Sequence, residues 1–81
     1  MHELSIALSI IDGVTDELQA RGGPKLHAVH LQLGSLAGVV KEALLFAYDV
    51  ACEGTLLAGS RLIIAESEGT ALQITGLEID A

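Results

Sequence analysis

The first three residues of the chain carry several nitrogen atoms that can bind a metal ion. Met1 offers an α-amine, His2 offers an imidazole and an amide nitrogen, and Glu3 adds a second amide nitrogen. Both Ni²⁺ and Cu²⁺ accept square-planar sets of nitrogen donors. An amide nitrogen binds a metal only after it loses its proton, so metal affinity should rise with pH. The Glu3 carboxylate lies next to this donor set and lowers its net charge.

The α-amine in this hypothesis is that of Met1. Aminopeptidases remove an initial methionine only before a small residue, so Met1 should remain in front of His2. The usual order of divalent-metal affinities places copper above nickel, so selectivity would come from metal availability or from a partner protein. A Met-His start is by itself a weak indication, because it binds metals loosely in any protein.

The other polar residues do not form a recognisable active site, so the sequence does not favour an enzyme. The segment Gly22-Gly23-Pro24-Lys25 lacks the spacing of a phosphate-binding loop. Cys52 is the single cysteine, so neither a CxxC redox pair nor a thiolate zinc site forms within one chain, and we interpret it as an ordinary thiol. His27 and His30, three residues apart on a predicted strand, should point to opposite faces of the sheet and play structural or solvent-facing roles.

Length and charge limit the class of function. The chain has 81 residues, which is one domain at most, and we take residues 1–81 as that domain. Its net charge of −7 argues against nucleic acid as a partner, because phosphate binding needs a basic surface. No apolar run is long enough to cross a membrane, and the start of the chain does not resemble an export signal. We therefore expect a cytoplasmic protein.

The spacing of apolar residues predicts two amphipathic helices. The first covers residues 3–20 and ends at Gly22-Gly23-Pro24. The second covers residues 40–53, with Gly54 as its left-handed terminal residue. Because Leu45, Phe46 and Val50 widen its apolar surface, we expect it to be covered on more than one side. The apolar stripe predicted for the first helix consists of Leu4, Leu8, Ile11, Val14 or Thr15, and Leu18.

Alternating apolar residues predict three strands, over residues 25–33, 61–66 and 71–80. The short link 66–70 predicts that the last two strands form a hairpin. A bulge at Gly76 would bring the apolar residues of the last strand onto one face. The order helix, strand, helix, strand, strand indicates an α+β fold of two layers, in which two helices pack on a three-stranded sheet.

Several stretches of the sequence resemble the HypA/HybF family of nickel-insertion accessory proteins, which acts in hydrogenase maturation. The resemblance covers nearly the whole chain, and its combined stretches are more specific than any one of them. These stretches are Met1 to Ser5 before the first helix, Val29 to Val39 (VHLQLGSLAGV), Glu42 to Ala47 (EALLFA), Glu53 to Leu57 (EGTLL), Leu62 to Ile64, and Leu72 to Ile79.

This resemblance implies a metallochaperone that delivers Ni(II) to the large subunit of [NiFe]-hydrogenase, with a GTPase accessory protein as its working partner; some members also support urease. It implies that the nickel is held by the Met1 amine, the His2 amide and imidazole, and the Glu3 amide. Members of the family carry a zinc domain between the last two strands, held by two CxxC pairs. Here residues 66–70 occupy that place and the chain contains no CxxC, so no zinc is expected. The chain is either a natural short paralogue or a form from which the zinc domain was removed.

A second hypothesis is a metal-independent protein-interaction module that has lost chaperone activity. The hydrophobic fraction of 51% is high for a chain of this length and would suit a buried interface. A three-stranded sheet also leaves exposed edges, so this module could be a homodimer.

Overall fold

A computed structural model describes residues 2–80 and confirms the predicted α+β class. The elements in chain order are α1 (Glu3–Ala20), β1 (Leu26–Gly34), α2 (Lys41–Cys52), β2 (Arg61–Ser67) and β3 (Leu72–Ile79). Gly54 follows α2 with a φ of 76°, which confirms the left-handed residue predicted there. No helix in this part of the chain is long and apolar enough to cross a membrane.

The three strands form one mixed sheet in which β1 is the central strand. It pairs in parallel with β2 and antiparallel with β3. The predicted hairpin of β2 and β3 is therefore wrong, because each of them pairs with β1 and not with the other. Six of the nine residues of β1 are buried. A buried strand has to satisfy the hydrogen-bonding groups of both its edges, which the central position allows.

The link between β2 and β3 crosses the carboxyl end of β1. Gly34 donates its N–H to the carbonyl of Ala71 at 2.7 Å, and Ser35 donates to the carbonyl of Ser67 at 2.8 Å. A Cβ at position 34 would lie 2.3 Å from the carbonyl oxygen of Gly69 and 2.8 Å from the nitrogen of Ala71. These neighbours are backbone atoms that cannot rotate away, so the crossing requires glycine at this position.

A bulge in β3 brings its apolar residues onto the face that the helices cover. The register of β1 and β3 shifts between His30 and Leu31, whose partners are Gly76 and Ile74. Thr75 is thus the extra residue, which confirms the bulge predicted at Gly76. The side chains of Leu77 and Ile79 then pack against the same core as the buried residues of β1.

The buried stripe of α1 differs from the predicted one in its first two turns. Leu4 and Leu8 are 56% and 48% exposed, whereas Glu3 and Ala7 are buried. Both stripes share Ile11, Val14 and Leu18, and the hydrophobic pattern alone does not show which stripe is buried in the first two turns. A polar contact accounts for the difference. The side chain of Glu3 turns inward, and its carboxylate accepts a hydrogen bond at the start of α2.

The outer side of α2 is open to solvent. Leu44, Tyr48 and Cys52 are buried, each four residues after the last, and they face α1 and the sheet. Phe46 and Val50 are 72% and 49% exposed. The expectation that α2 is covered on more than one side is therefore wrong for the part of the chain that the structure describes.

We predict that Gly34→Ala destabilises the fold by about 2 kcal/mol or more, because its methyl group would overlap the backbone of the crossing link. Gly13→Ala is the matched control. Position 13 lies inside α1, and an added Cβ there meets no atom within 4 Å. That variant should gain about 0.5–1 kcal/mol from helix propensity. Urea unfolding followed by circular dichroism measures both changes. A Gly34→Ala protein as stable as the parent would show that the link does not pack on β1.

Candidate metal centre

His2 occupies the N-cap position of α1. Its carbonyl accepts a hydrogen bond from the N–H of Ile6 at 2.9 Å and so begins the helix. The His2 side chain is exposed and does not cap the helix. Serine, threonine, aspartate and asparagine are the residues that stabilise this position through their side chains. A histidine here provides an imidazole next to the start of the chain instead of a capping group.

The amide nitrogens of His2 and Glu3 lie at the N-terminus of α1, where the helix does not use them as hydrogen-bond donors to its own carbonyl groups. The first four N–H groups of an α-helix have no carbonyl acceptor in the preceding turn. Deprotonation of these two amides would therefore break no bond of the helical ladder, although that of Glu3 would remove the bond from its N–H to its own carboxylate. The positive end of the helix dipole also stabilises negative charge on a deprotonated amide.

The side chain of Glu3 connects the starts of the two helices. Its residue is 7% exposed, and its Oε2 accepts a hydrogen bond from the N–H of Val40 at 3.1 Å. Val40 is the N-cap residue of α2 and has no capping side chain of its own. In a capping box a glutamate of the same helix reaches the N-cap N–H. Here the glutamate comes from α1.

The pKa of the Glu3 carboxyl is lowered to about 2 from its ordinary value of 4.5. A hydrogen bond to the N-terminal amine has the largest effect on this pKa, and the positive charge of that amine has a smaller one. The backbone N–H groups of Val40 and of Glu3 itself lower the pKa further, and burial opposes them. The carboxylate is therefore ionised at neutral pH.

Two of the three predicted metal-binding residues are thus adjacent at the start of α1. The third, Met1, lies outside the described residues. Within residues 2–80, no three side chains of histidine, cysteine, aspartate or glutamate are arranged to hold a metal ion. The hypothesis does not require such a group, because it uses one imidazole together with an amine and two amide nitrogens.

His27 and His30 lie on the same face of the sheet, contrary to the expectation from alternation. The Nε2 of His27 is 2.6 Å from Oδ1 of Asp80, and the Nε2 of His30 is 2.5 Å from Oε2 of Glu78. Glu78 and Asp80 are two residues apart and share a face. The register of β1 shifts at His27, which reverses the alternation. Both pairs are exposed and connect β3 to β1, away from residues 2 and 3.

Cys52 belongs to the core, in agreement with its interpretation as an ordinary thiol. It is 3% exposed, and burial raises its pKa. The hydroxyl groups of Tyr48 and Ser60 hydrogen-bond to each other at 2.7 Å beside it, and Ser60 Oγ donates to the carbonyl of Leu57 at 2.6 Å. The polar atoms of this cluster are satisfied within the fold.

Comparison with known proteins assigns a family to this architecture. Residues 1–72 match the family described as "Hydrogenase/urease nickel incorporation, metallochaperone, hypA". Proteins called hydrogenase maturation factor HypA are similar over most of the chain. The one from Chlorobaculum tepidum is 45% identical over 69 residues, 85% of this chain and 61% of the relative. The one from Chloroflexus aurantiacus is 52% identical over 66 residues, 82% of this chain and 58% of the relative.

A third relative, from Streptomyces avermitilis, is 44% identical over 72 residues, 88% of this chain and 55% of the relative. The chain belongs to the HypA family, and these matches confirm the resemblance found in the sequence. It spans between 55% and 61% of the length of these three relatives.

We predict that Glu3→Gln makes the fold less stable at neutral pH and changes its response to acid. Because the folded-state pKa is lower than the ordinary value, the ionised carboxylate adds stability above pH 4.5, and that contribution is lost as the pH falls towards 2. The gap in urea midpoint between the parent and Glu3→Gln should therefore narrow from pH 6 to pH 3.

The control is Asp12→Asn, which removes an exposed carboxylate from the same helix. Its urea midpoint should differ little from that of the parent at pH 6. An equal gap for Glu3→Gln at both pH values would contradict the stabilising role of its ionised carboxylate.

Proposed function

We propose that the chain is the nickel-binding domain of a hydrogenase-maturation metallochaperone and holds one Ni(II) ion in a square-planar site. The donors in this proposal are the Met1 amine, the His2 amide and imidazole, and the Glu3 amide. The observation that carries it is the position of His2 at the N-cap of α1 and of Glu3 directly after it. Membership of a nickel-incorporation family supports the choice of metal.

The charge of the proposed site suits the end of a helix. A cation placed at a helix N-terminus is normally repelled by the helix dipole. Two deprotonated amides carry two negative charges, which balance the charge of Ni²⁺, so the site as a whole is neutral. The dipole then favours the deprotonated amides without opposing the bound complex. Binding should release protons to the solvent.

The end of the family match supports a proposal about the zinc domain that the resemblance implies. The family match ends at residue 72, which is the first residue of β3. The link 66–70 precedes it, and there we place the expected insertion point of the zinc domain. We propose that residues 1–81 act as one nickel-binding domain without structural zinc.

The proposed action is binding and transfer of nickel, not catalysis. The relatives are named hydrogenase maturation factors, which supports a hydrogenase large subunit as the acceptor. A GTPase accessory protein is the second proposed partner, and the cytoplasm is the proposed compartment. Neither nucleic acid nor a membrane enters the proposal.

We predict that the untagged protein with a free Met1 amine binds one Ni²⁺ per chain and shows the visible absorption of a yellow, diamagnetic, square-planar complex. His2→Ala should lose this spectrum because the imidazole is removed. A protein with added residues before Met1 should lose it because the amine becomes an amide. Titration with absorption and isothermal calorimetry measures both effects, and affinity should rise with pH.

His27→Ala is the matched control, since it removes a histidine that pairs with Asp80 away from the site. It should bind nickel as the parent does. Unchanged binding by His2→Ala would refute the proposed donors. Absence of specific binding by the untagged parent would leave the metal-independent interaction module, with or without a dimer, as the better explanation.

A further inference from the structure

The outer face of α2 carries apolar side chains that the core does not use. Phe46 is the only phenylalanine of the chain, and it is 72% exposed. Val50, four residues later and thus beside it on the helix surface, is 49% exposed. Aromatic residues in such positions are enriched where proteins contact one another.

Three acidic residues lie on the same face. Glu42, Asp49 and Glu53 are all exposed. With 3.6 residues per turn, Glu42 and Asp49 fall with Phe46 and Val50 within roughly 100° of the helix circumference, and Glu53 follows as the C-cap residue of α2. Lys41, at the start of α2, pairs instead with Glu66 of β2 at 3.2 Å. The face therefore combines an apolar centre with a negative charge.

We propose that this outer face of α2 is a docking surface for a basic amphipathic helix of a partner protein. The apolar side chains of the partner helix would contact Phe46 and Val50, and its lysine or arginine residues would pair with the acidic residues of this face. Two helices that pack along apolar stripes bury the largest part of such a surface, and the charged rim gives specificity and speeds association.

The negative charge of this face disfavours a second copy of the chain, nucleic acid and anionic lipid as its partner. A symmetric dimer brings the same patch of two copies together, which would place Glu42, Asp49 and Glu53 close to the same acidic residues of the other copy. Nucleic acid and anionic lipid surfaces would be repelled for the same reason. A partner with the opposite charge is the one that this face attracts.

The docking surface consists of residues other than those of the proposed metal site. α2 begins beyond Val40, and Phe46 lies roughly 8 Å further along the helix axis. Because Val40 is bonded to Glu3, the face is nevertheless fixed in position relative to the start of α1.

The test uses a labelled 18-residue peptide of leucine and lysine with helical spacing as the probe and fluorescence anisotropy as the measurement. We expect Phe46→Ala with Val50→Ala to raise the dissociation constant roughly tenfold, as the loss of central contacts does in other interfaces. The matched pair is Leu4→Ala with Leu8→Ala, which removes equally spaced exposed apolar residues from α1. It should change the constant less than about twofold.

Charge is tested by a second matched set. E42Q/D49N/E53Q should weaken binding and reduce its salt dependence, whereas D12N/D16N/E17Q, with the same number of exposed acids removed from α1, should do neither. Nickel titration of each variant should equal that of the parent, which separates this proposal from the metal site.

Two outcomes would overturn the proposal. One is equal weakening by the α1 and α2 sets, which would mean that the peptide responds only to overall charge. The other is light scattering that shows a dimer of the parent and a monomer of the Phe46 and Val50 variant, which would assign the face to a second copy of the chain.

Discussion

The pairing of β1 with both other strands is the constraint on which the rest of the domain depends. Because β2 and β3 flank the same strand, the chain between them has to cross its carboxyl end. Neighbouring strands lie about 4.8 Å apart, so the crossing spans roughly 10 Å. The chain from Ser67 to Leu72 extends at most roughly 17 Å, so it is long enough to cross. Its carbonyl groups at residues 67, 69 and 71 accept hydrogen bonds from the N–H groups of residues 34–36. The link therefore lies against β1, and the close approach at Gly34 follows from this geometry.

Glu3 serves the fold and the proposed metal site through different atoms. Its carboxylate holds α1 against the start of α2, while its amide belongs to the end of the helix where nitrogen atoms remain without a helical acceptor. The same contact sets the rotation of α1, turning Glu3 and Ala7 inward and Leu4 outward. A change at this residue therefore acts on the position of the metal-binding end as well as on stability. Variants that keep the amide but alter the side chain separate the two roles.

The sequence predicted those features that depend on local pattern. The bounds of α1, the left-handed Gly54 and the bulge beside Gly76 follow from residue types and spacing, which act over a few positions. The family was also identifiable, because its short motifs occur in order along most of the chain. Of the proposed site, the sequence supplied the residue types and the order of the donors.

Features that depend on distant contacts were predicted wrongly. A short link suggested a hairpin, because spacing along the chain does not show which strand occupies the central position. The shift at His27 exists only through pairing with β3, so alternation placed His27 and His30 on opposite faces. The inward turn of Glu3 depends on Val40, which is distant in sequence. No pattern within α1 favours a buried glutamate over an exposed leucine.

The high apolar content is explained only partly by the core. A domain of this size has too much surface for its volume to bury all of its apolar side chains, so exposed leucines do not by themselves indicate an interface. Leu72 and Ile74 of β3 are about 40% exposed beside a groove formed with Ile6 and Ile10 of α1, and the residues that line this groove carry no charge. An uncharged groove does not distinguish between occupants. The outer face of α2 does distinguish between them. Its acidic residues around Phe46 favour a basic partner over nucleic acid, an anionic lipid surface or a second copy of the chain.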